Sequence, residues 1–145
     1  MQEEIYKEWD AAGVKSINES YKWQKADDFL REYNMLSKEQ QLFAKDVGIL
    51  INYIYSQGYS CSLGEAFRTH EQAQIYAREG KGILDSLHCS RLAIDLNLFD
   101  KNGFYLDKTE DYQFLGTFWE SLGSQNGWGG KFKRQDGNHF ERRPQ

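Results

Sequence analysis

The chain has 145 residues, with 18 Lys plus Arg against 22 Asp plus Glu and a net charge of −4. That length suits one globular domain with its own core and no disulfide staples, and the scattered basic residues argue against nucleic acid as a partner. No apolar run approaches the roughly 18 residues of a membrane span, and the acidic start Met1-Gln-Glu-Glu-Ile lacks a signal-peptide core. Cys61 and Cys89 are expected to be reduced thiols, since two cysteines without a secretion signal seldom pair. Aromatic residues make up 15% of the chain, enough to line a groove as well as fill a core.

Residues 1–36 are charged and carry Trp9, Tyr21, Trp23, Phe29 and Tyr33 at irregular spacing, which suggests a helical extension outside the main domain of residues 37–145. Ser37-Lys-Glu-Gln40 has the capping-box form, and Phe43, Val47, Leu50 and Ile54 follow at spacings that put one apolar stripe on a helix over about 38–56. Tyr59–Leu63 reads as a strand. Thr69-x-x-Gln72 caps a second helix that runs to Glu79 and stops at Gly80.

After a loop, Leu92–Phe99 reads as a strand buried on one face with Asp95 on the other. Asn102-Gly103 between apolar residues predicts a hairpin, placed at the centre of the sheet. Asp100-Lys-Asn102-Gly103 also resembles the start of a calcium loop, but its glycine comes early and the terminal glutamate is missing. Thr109 is expected to cap a third helix with Tyr112, Leu115, Trp119 and Leu122 on its inner face and Gly123 at its end. The glycine-rich run Gly127–Phe132 predicts close backbone approach, and the His139 segment a short final strand.

Two motifs carry the chemistry. His88 and Asp95 stand seven residues apart, roughly 23 Å if extended, so sharing one metal ion requires a bend, expected at Cys89-Ser90-Arg91. In Asp136-Gly-Asn-His139 the middle residues are turn formers, and a β-turn brings its first and fourth residues within about 7 Å. His88, Asp95 and His139 then offer three ligands, and Asp136 a base for the attacking water, which is what hydrolytic zinc requires. Arg68, before the helix cap, is placed to hold a substrate carboxylate or steady an oxyanion. Gln72 reads as a capping residue. His70 lacks partners at metal spacing, and Cys89 lacks an orienting group for a nucleophilic role.

Ser86-x-His88-x(4)-Ala93-x-Asp95-Leu96 with Asp136-x-x-His139-Phe resembles the zinc peptidases of the Hedgehog/D-Ala-D-Ala-peptidase superfamily, most closely the bacteriophage L-alanyl-D-glutamate endolysins and related D,D- and L,D-carboxypeptidases. The resemblance covers roughly residues 38–142. It implies an α+β fold, a small antiparallel sheet with helices packed on it, and one zinc ion per chain in an open groove. It gives His88, Asp95 and His139 to the metal and makes Asp136 the catalytic base. Arg68, Gln72, Ser86 and Trp128 fall to substrate contact, Arg68 also to catalysis.

The implied substrate is bacterial peptidoglycan, cut at L-Ala-D-Glu or trimmed of terminal D-Ala. The implied setting is a monomer held in the cytoplasm of an infected host until it is released to the cell wall. A non-catalytic cell-wall-binding protein that keeps the zinc site is the other reading. Where relatives often carry Gly, this chain has Arg91, so the bend is built differently.

Overall fold

The structure, a computed structural model, describes residues 19–145. Residues 1–18, which include Trp9 and the acidic start, lie outside the described residues. Internal contacts divide the chain into two units, with the division between Lys38 and Glu39. The first unit contributes helical chain in which Gln24 Nε2 donates to Asp28 Oδ1 at 3.2 Å, one turn on. Helix α1 spans Glu19–Ser56. The expected start near Ser37 is therefore corrected: neither Gly nor Pro occurs from residue 19 to 47, so nothing breaks the helix there, and Ser37 lies inside it.

The second unit, Glu39–Gln145, has the expected α+β architecture. From residue 39 onward, Phe43, Leu50 and Ile54 of α1 are buried in the core, each worth about 1.5–3 kcal/mol relative to exposure. Strand β1 spans Ser60–Leu63 and helix α2 His70–Arg78, capped by Thr69 Oγ1, which accepts from Gln72 N at 3.1 Å. Strand β2 spans Ala93–Phe99, β3 Tyr105–Leu106, α3 Gln113–Ser121, β4 Asn126–Trp128 and β5 His139–Arg142. The third helical segment opens one residue earlier than expected, with Lys108 rather than Thr109 at the cap of a 3-10 turn over Thr109–Tyr112 that leads into α3.

The sheet is antiparallel in the order β1-β2-β5-β4, and β3 also pairs with β2. The hairpin forms where Asn102-Gly103 predicts it, with Gly103 at φ +83° and the Asp100 carboxylate accepting from the Asn102 and Phe104 amides, each at 2.9 Å. It is peripheral, a correction to its expected central place. β3 is only two residues long and meets the end of β2 at Leu98 and Phe99, while β5 takes the same edge at residues 93–95.

Alternation along β2 sends Ile94, Leu96 and Leu98 into the core with Phe140, Trp119 and Leu115, and turns Asp95 to the opposite face. Tyr112 secures the join of β2 and β3: its hydroxyl accepts from Leu98 N and donates to Leu106 O, both at 2.9 Å.

Candidate metal centre

Sheet register brings the two motifs together. Asp95 of β2 lies directly opposite His139 of β5. The neighbouring ladder bonds run from Leu96 N to Asn138 O and from Arg142 N to Leu92 O, so 95/139 is a non-hydrogen-bonded pair, with Cα atoms about 4.5 Å apart and side chains close on one face. Ala93 and Glu141 form the next such pair, so the Glu141 carboxylate stands beside His139 on that face.

His88 arrives by the expected bend. Leu87–Ser90 is a 3-10 turn capped by Ser86 Oγ, which accepts from His88 N, and Arg91 reverses the chain in the left-handed region at φ 54°. A non-glycine residue there is uncommon. It is held by Arg91 N donating to His88 O and by the guanidinium stacked 4.1 Å over the Phe67 ring, and Gln40 Nε2 donates to Ser90 O at 2.8 Å. The linker after β1 ties both motifs: Gly64 N donates to Asp95 O, Asp95 N to Glu65 O, and Arg68 N to His88 O. Gly64 eases that approach, since a Cβ there would lie a tight 3.0 Å from Asp95.

One ligand atom each from His88, Asp95 and His139 lies within 4.8 Å of the others. His88 Nε2 is 3.3 Å and His139 Nδ1 3.2 Å from the same oxygen, Asp95 Oδ1. Zinc bonded at about 2.0–2.1 Å to tetrahedral donors sets those donors about 3.3 Å apart, so both spacings to Asp95 fit that ion. They line a cleft of about 590 Å³ together with Arg68, Ser86, Asp136 and Glu141.

Asp136 enters this cleft by the predicted turn, closed by His139 N donating to Asp136 O at 3.2 Å. Burial pushes its carboxyl above the ordinary range, which suits a group that must accept a proton. Burial also pushes Asp95 up, but hydrogen bonds from His139 and His88 outweigh it and leave Asp95 at about 2. For His139 burial disfavours the charged ring, yet Asp95 and Glu141 raise its pKa to about 9.

That value, above the ordinary 6.5, gives metal-free protein a stabilising interaction that is fully present below pH 6.5 and lost as pH rises through about 9. Metal must displace that proton, so zinc affinity is expected to rise about tenfold per pH unit up to about pH 9. Calorimetry in buffers of different ionisation enthalpy should show proton release on zinc binding. A buffer-independent heat at neutral pH would contradict the linkage.

The remaining expected residues fall in different places. Arg68 lines the cleft, but its guanidinium is ion-paired with Glu65 Oε1 and lies 4.9 Å over Tyr76. Ser86 lines the cleft and caps the turn of His88. Gln72 is half-buried on α2 and does not line the cleft, because it occupies the third position of a capped helix. Trp128 is only 2% exposed and is corrected from substrate contact to support: its indole lies in the core and Nε1 donates to Gly137 O at 2.7 Å, under the turn of Asp136 and His139. No sequence motif marks Glu65 or Glu141. The two-residue step from His139 to Glu141 on a strand, which puts both on one face, was the signal for the second.

Residues 79–142 match a family described as D-alanyl-D-alanine carboxypeptidase. The fold is similar to the crystal structure of the Serratia marcescens L-Ala D-Glu endopeptidase ChiX, with a TM-score of 0.50 and 22% identity over 57% of this chain and 66% of that one. The chain thus spans slightly less than two thirds of that neighbour, and the likeness is one of fold. No curated protein matches the chain. The matched segment holds all three ligand positions and Asp136, and the likeness to that endopeptidase extends the comparison to the fold.

Proposed function

We propose that the chain is a zinc-dependent peptidase of peptidoglycan stem peptides, an L-alanyl-D-glutamate endopeptidase acting as a phage endolysin. The observation that carries the reading is the convergence of His88, Asp95 and His139 in a cleft that also presents Asp136. When bound, zinc supplies Lewis acidity, lowering the pKa of water toward about 7 and polarising a carbonyl. Asp136 takes a proton from the attacking water as its oxygen bonds to the scissile carbonyl carbon. It returns that proton to the amine nitrogen as the C–N bond breaks.

Ser86 and Arg68 form cleft wall against which a stem peptide lies, and Arg68 steadies charge near the carbonyl while keeping its pair with Glu65. The peptidase domain is residues 37–145, acting as a monomer, with residues 1–36 an extension. As an endolysin it waits in the host cytoplasm until it is released to the wall.

A D,D- or L,D-carboxypeptidase is the second reading. It is favoured by the description of the matched family and by Arg134, which lines the cleft and donates to Gly80 O at 2.8 Å, joining two segments of its wall beside Lys81. Such cations suit a free terminal carboxylate. Mass spectrometry of wall peptides digested by the zinc-loaded full chain separates the two. New D-Glu amino termini, lost on chelation and regained with zinc, are the expected result; released D-Ala would support the carboxypeptidase. No cleavage with zinc still bound would overturn both and favour a wall-binding protein.

A further inference from the structure

His139 is gripped on both sides by carboxylates. Its Nδ1 lies 3.2 Å from Asp95 Oδ1, and its Nε2 lies 3.0 Å from Glu141 Oε1. Asp95 is committed to the three-donor cluster, whereas Glu141 stands behind the ring, 8% exposed. Glu141 is itself held, since its Oε2 accepts from Arg143 Nε at 2.8 Å. Arg143 reaches that carboxylate across Gly127, the residue opposite Glu141 in the register, where a Cβ would come 2.9 Å from the guanidinium. Phe132 closes the side, its ring 5.5 Å from the His139 ring and 5.7 Å from the Arg143 guanidinium carbon.

His88 has no equal support. Its Nδ1 is 3.7 Å from Glu65 Oε1, beyond hydrogen-bond reach, and that oxygen is engaged by Arg68. The His88 ring is set by its capped turn, while the His139 ring is set by a side-chain brace.

We propose that Glu141, backed by Arg143 across Gly127, is a positioning residue that fixes His139 with its proton on Nε2 and presents bare Nδ1 to the metal. A neutral imidazole has two tautomers, and only the one protonated on Nε2 offers Nδ1 as a ligand. A carboxylate receiving Nε2–H favours that tautomer, here against Asp95, which faces Nδ1 at the longer distance of 3.2 Å, and it fixes the ring plane and raises ligand basicity. The inference rests on the zinc-site reading, but its tautomer component can be read without metal.

Nitrogen-15 NMR of the full chain, metal-free and in alkaline buffer where the ring is neutral, is expected to show His139 protonated on Nε2. Glu141→Ala is expected to mix the tautomers and weaken zinc binding about 10–100-fold in chelator competition. Glu141→Gln, which keeps an acceptor oxygen, is expected to fall between the alanine variant and the native protein.

Wild-type His139 protonated on Nδ1 would overturn the proposal whether or not zinc binds. So would a folded Glu141→Ala with native tautomer and native zinc affinity. A wild-type chain with the Nε2–H tautomer but no zinc uptake would overturn the metal-centre reading and leave the brace standing. If the alanine variant fails to fold, the wild-type spectrum and the glutamine variant still decide.

Discussion

Asp136→Ala is expected to lower turnover of a stem-peptide substrate about 10²–10⁴-fold while the protein still takes up zinc. The two effects separate because Asp136 serves the site through two different parts of itself. Its backbone builds the turn: Asp136 N donates to Gly129 O at 2.9 Å, and Asp136 O accepts from His139 N. Alanine preserves both bonds, so His139 keeps its place opposite Asp95. The side chain lines the cleft beside His139 and is free to carry a proton from water to the leaving amine, whereas Asp95 belongs to the metal cluster and Glu141 to His139 and Arg143.

Asp136→Asn should be as impaired as alanine, because an amide keeps the shape but cannot accept that proton. Burial raises the Asp136 carboxyl in the metal-free protein, a shift that a bound zinc ion nearby opposes. Turnover and zinc titration on the same samples check both variants. An alanine variant within tenfold of native turnover would remove Asp136 from the mechanism; zinc lost together with activity would make it a structural residue. A protein that merely binds cell wall should show no loss of binding in either variant.

What was legible in the sequence is what is local. The stripe Phe43, Val47, Leu50, Ile54, the Thr69 cap, the Asn102-Gly103 hairpin and the turn from Asp136 to His139 are each encoded within a few residues, and each forms. The bend at Arg91 was legible for a different reason: ligands seven residues apart on an extended chain cannot meet without one.

Sheet order was not legible. A hairpin signal says that two strands pair, not that β5 will take the better part of the same β2 edge and push the hairpin aside. Glu65 is unmarked in the sequence because its partners, Arg68 three residues on and His88 on another segment, meet only after folding. Trp128 misled because an aromatic residue in a glycine-rich run reads equally well as groove lining or as core. The deciding fact lies in Gly116 and Gly130, at which a Cβ would come 2.2 Å from the indole.

Those two glycines make Trp128 the residue through which the core reaches the site, and Trp128→Ala is expected to cost about 3–5 kcal/mol. Against a whole-domain stability of about 5–15 kcal/mol, that is enough to leave some of the chain unfolded at moderate urea. The loss has two sources that a second variant separates. Removing the indole empties the space between Gly116 of α3 and Gly130, and it also withdraws the Nε1 hydrogen from Gly137 O. Trp128→Phe fills most of the volume but abandons the carbonyl, which costs about 1–3 kcal/mol if no water replaces the bond.

Gly137 is the second residue of the turn that presents Asp136 and His139, so the phenylalanine variant should also bind zinc more weakly than its modest loss of stability suggests. Urea midpoints and chelator competition on both variants test this. If Trp128→Phe matches the native protein in both, the indole bond does not hold the turn, and packing alone accounts for the tryptophan. If zinc affinity falls in the phenylalanine variant while its urea midpoint moves little, the carbonyl of Gly137 is the link by which a buried side chain, invisible to substrate, sets the spacing of the metal ligands.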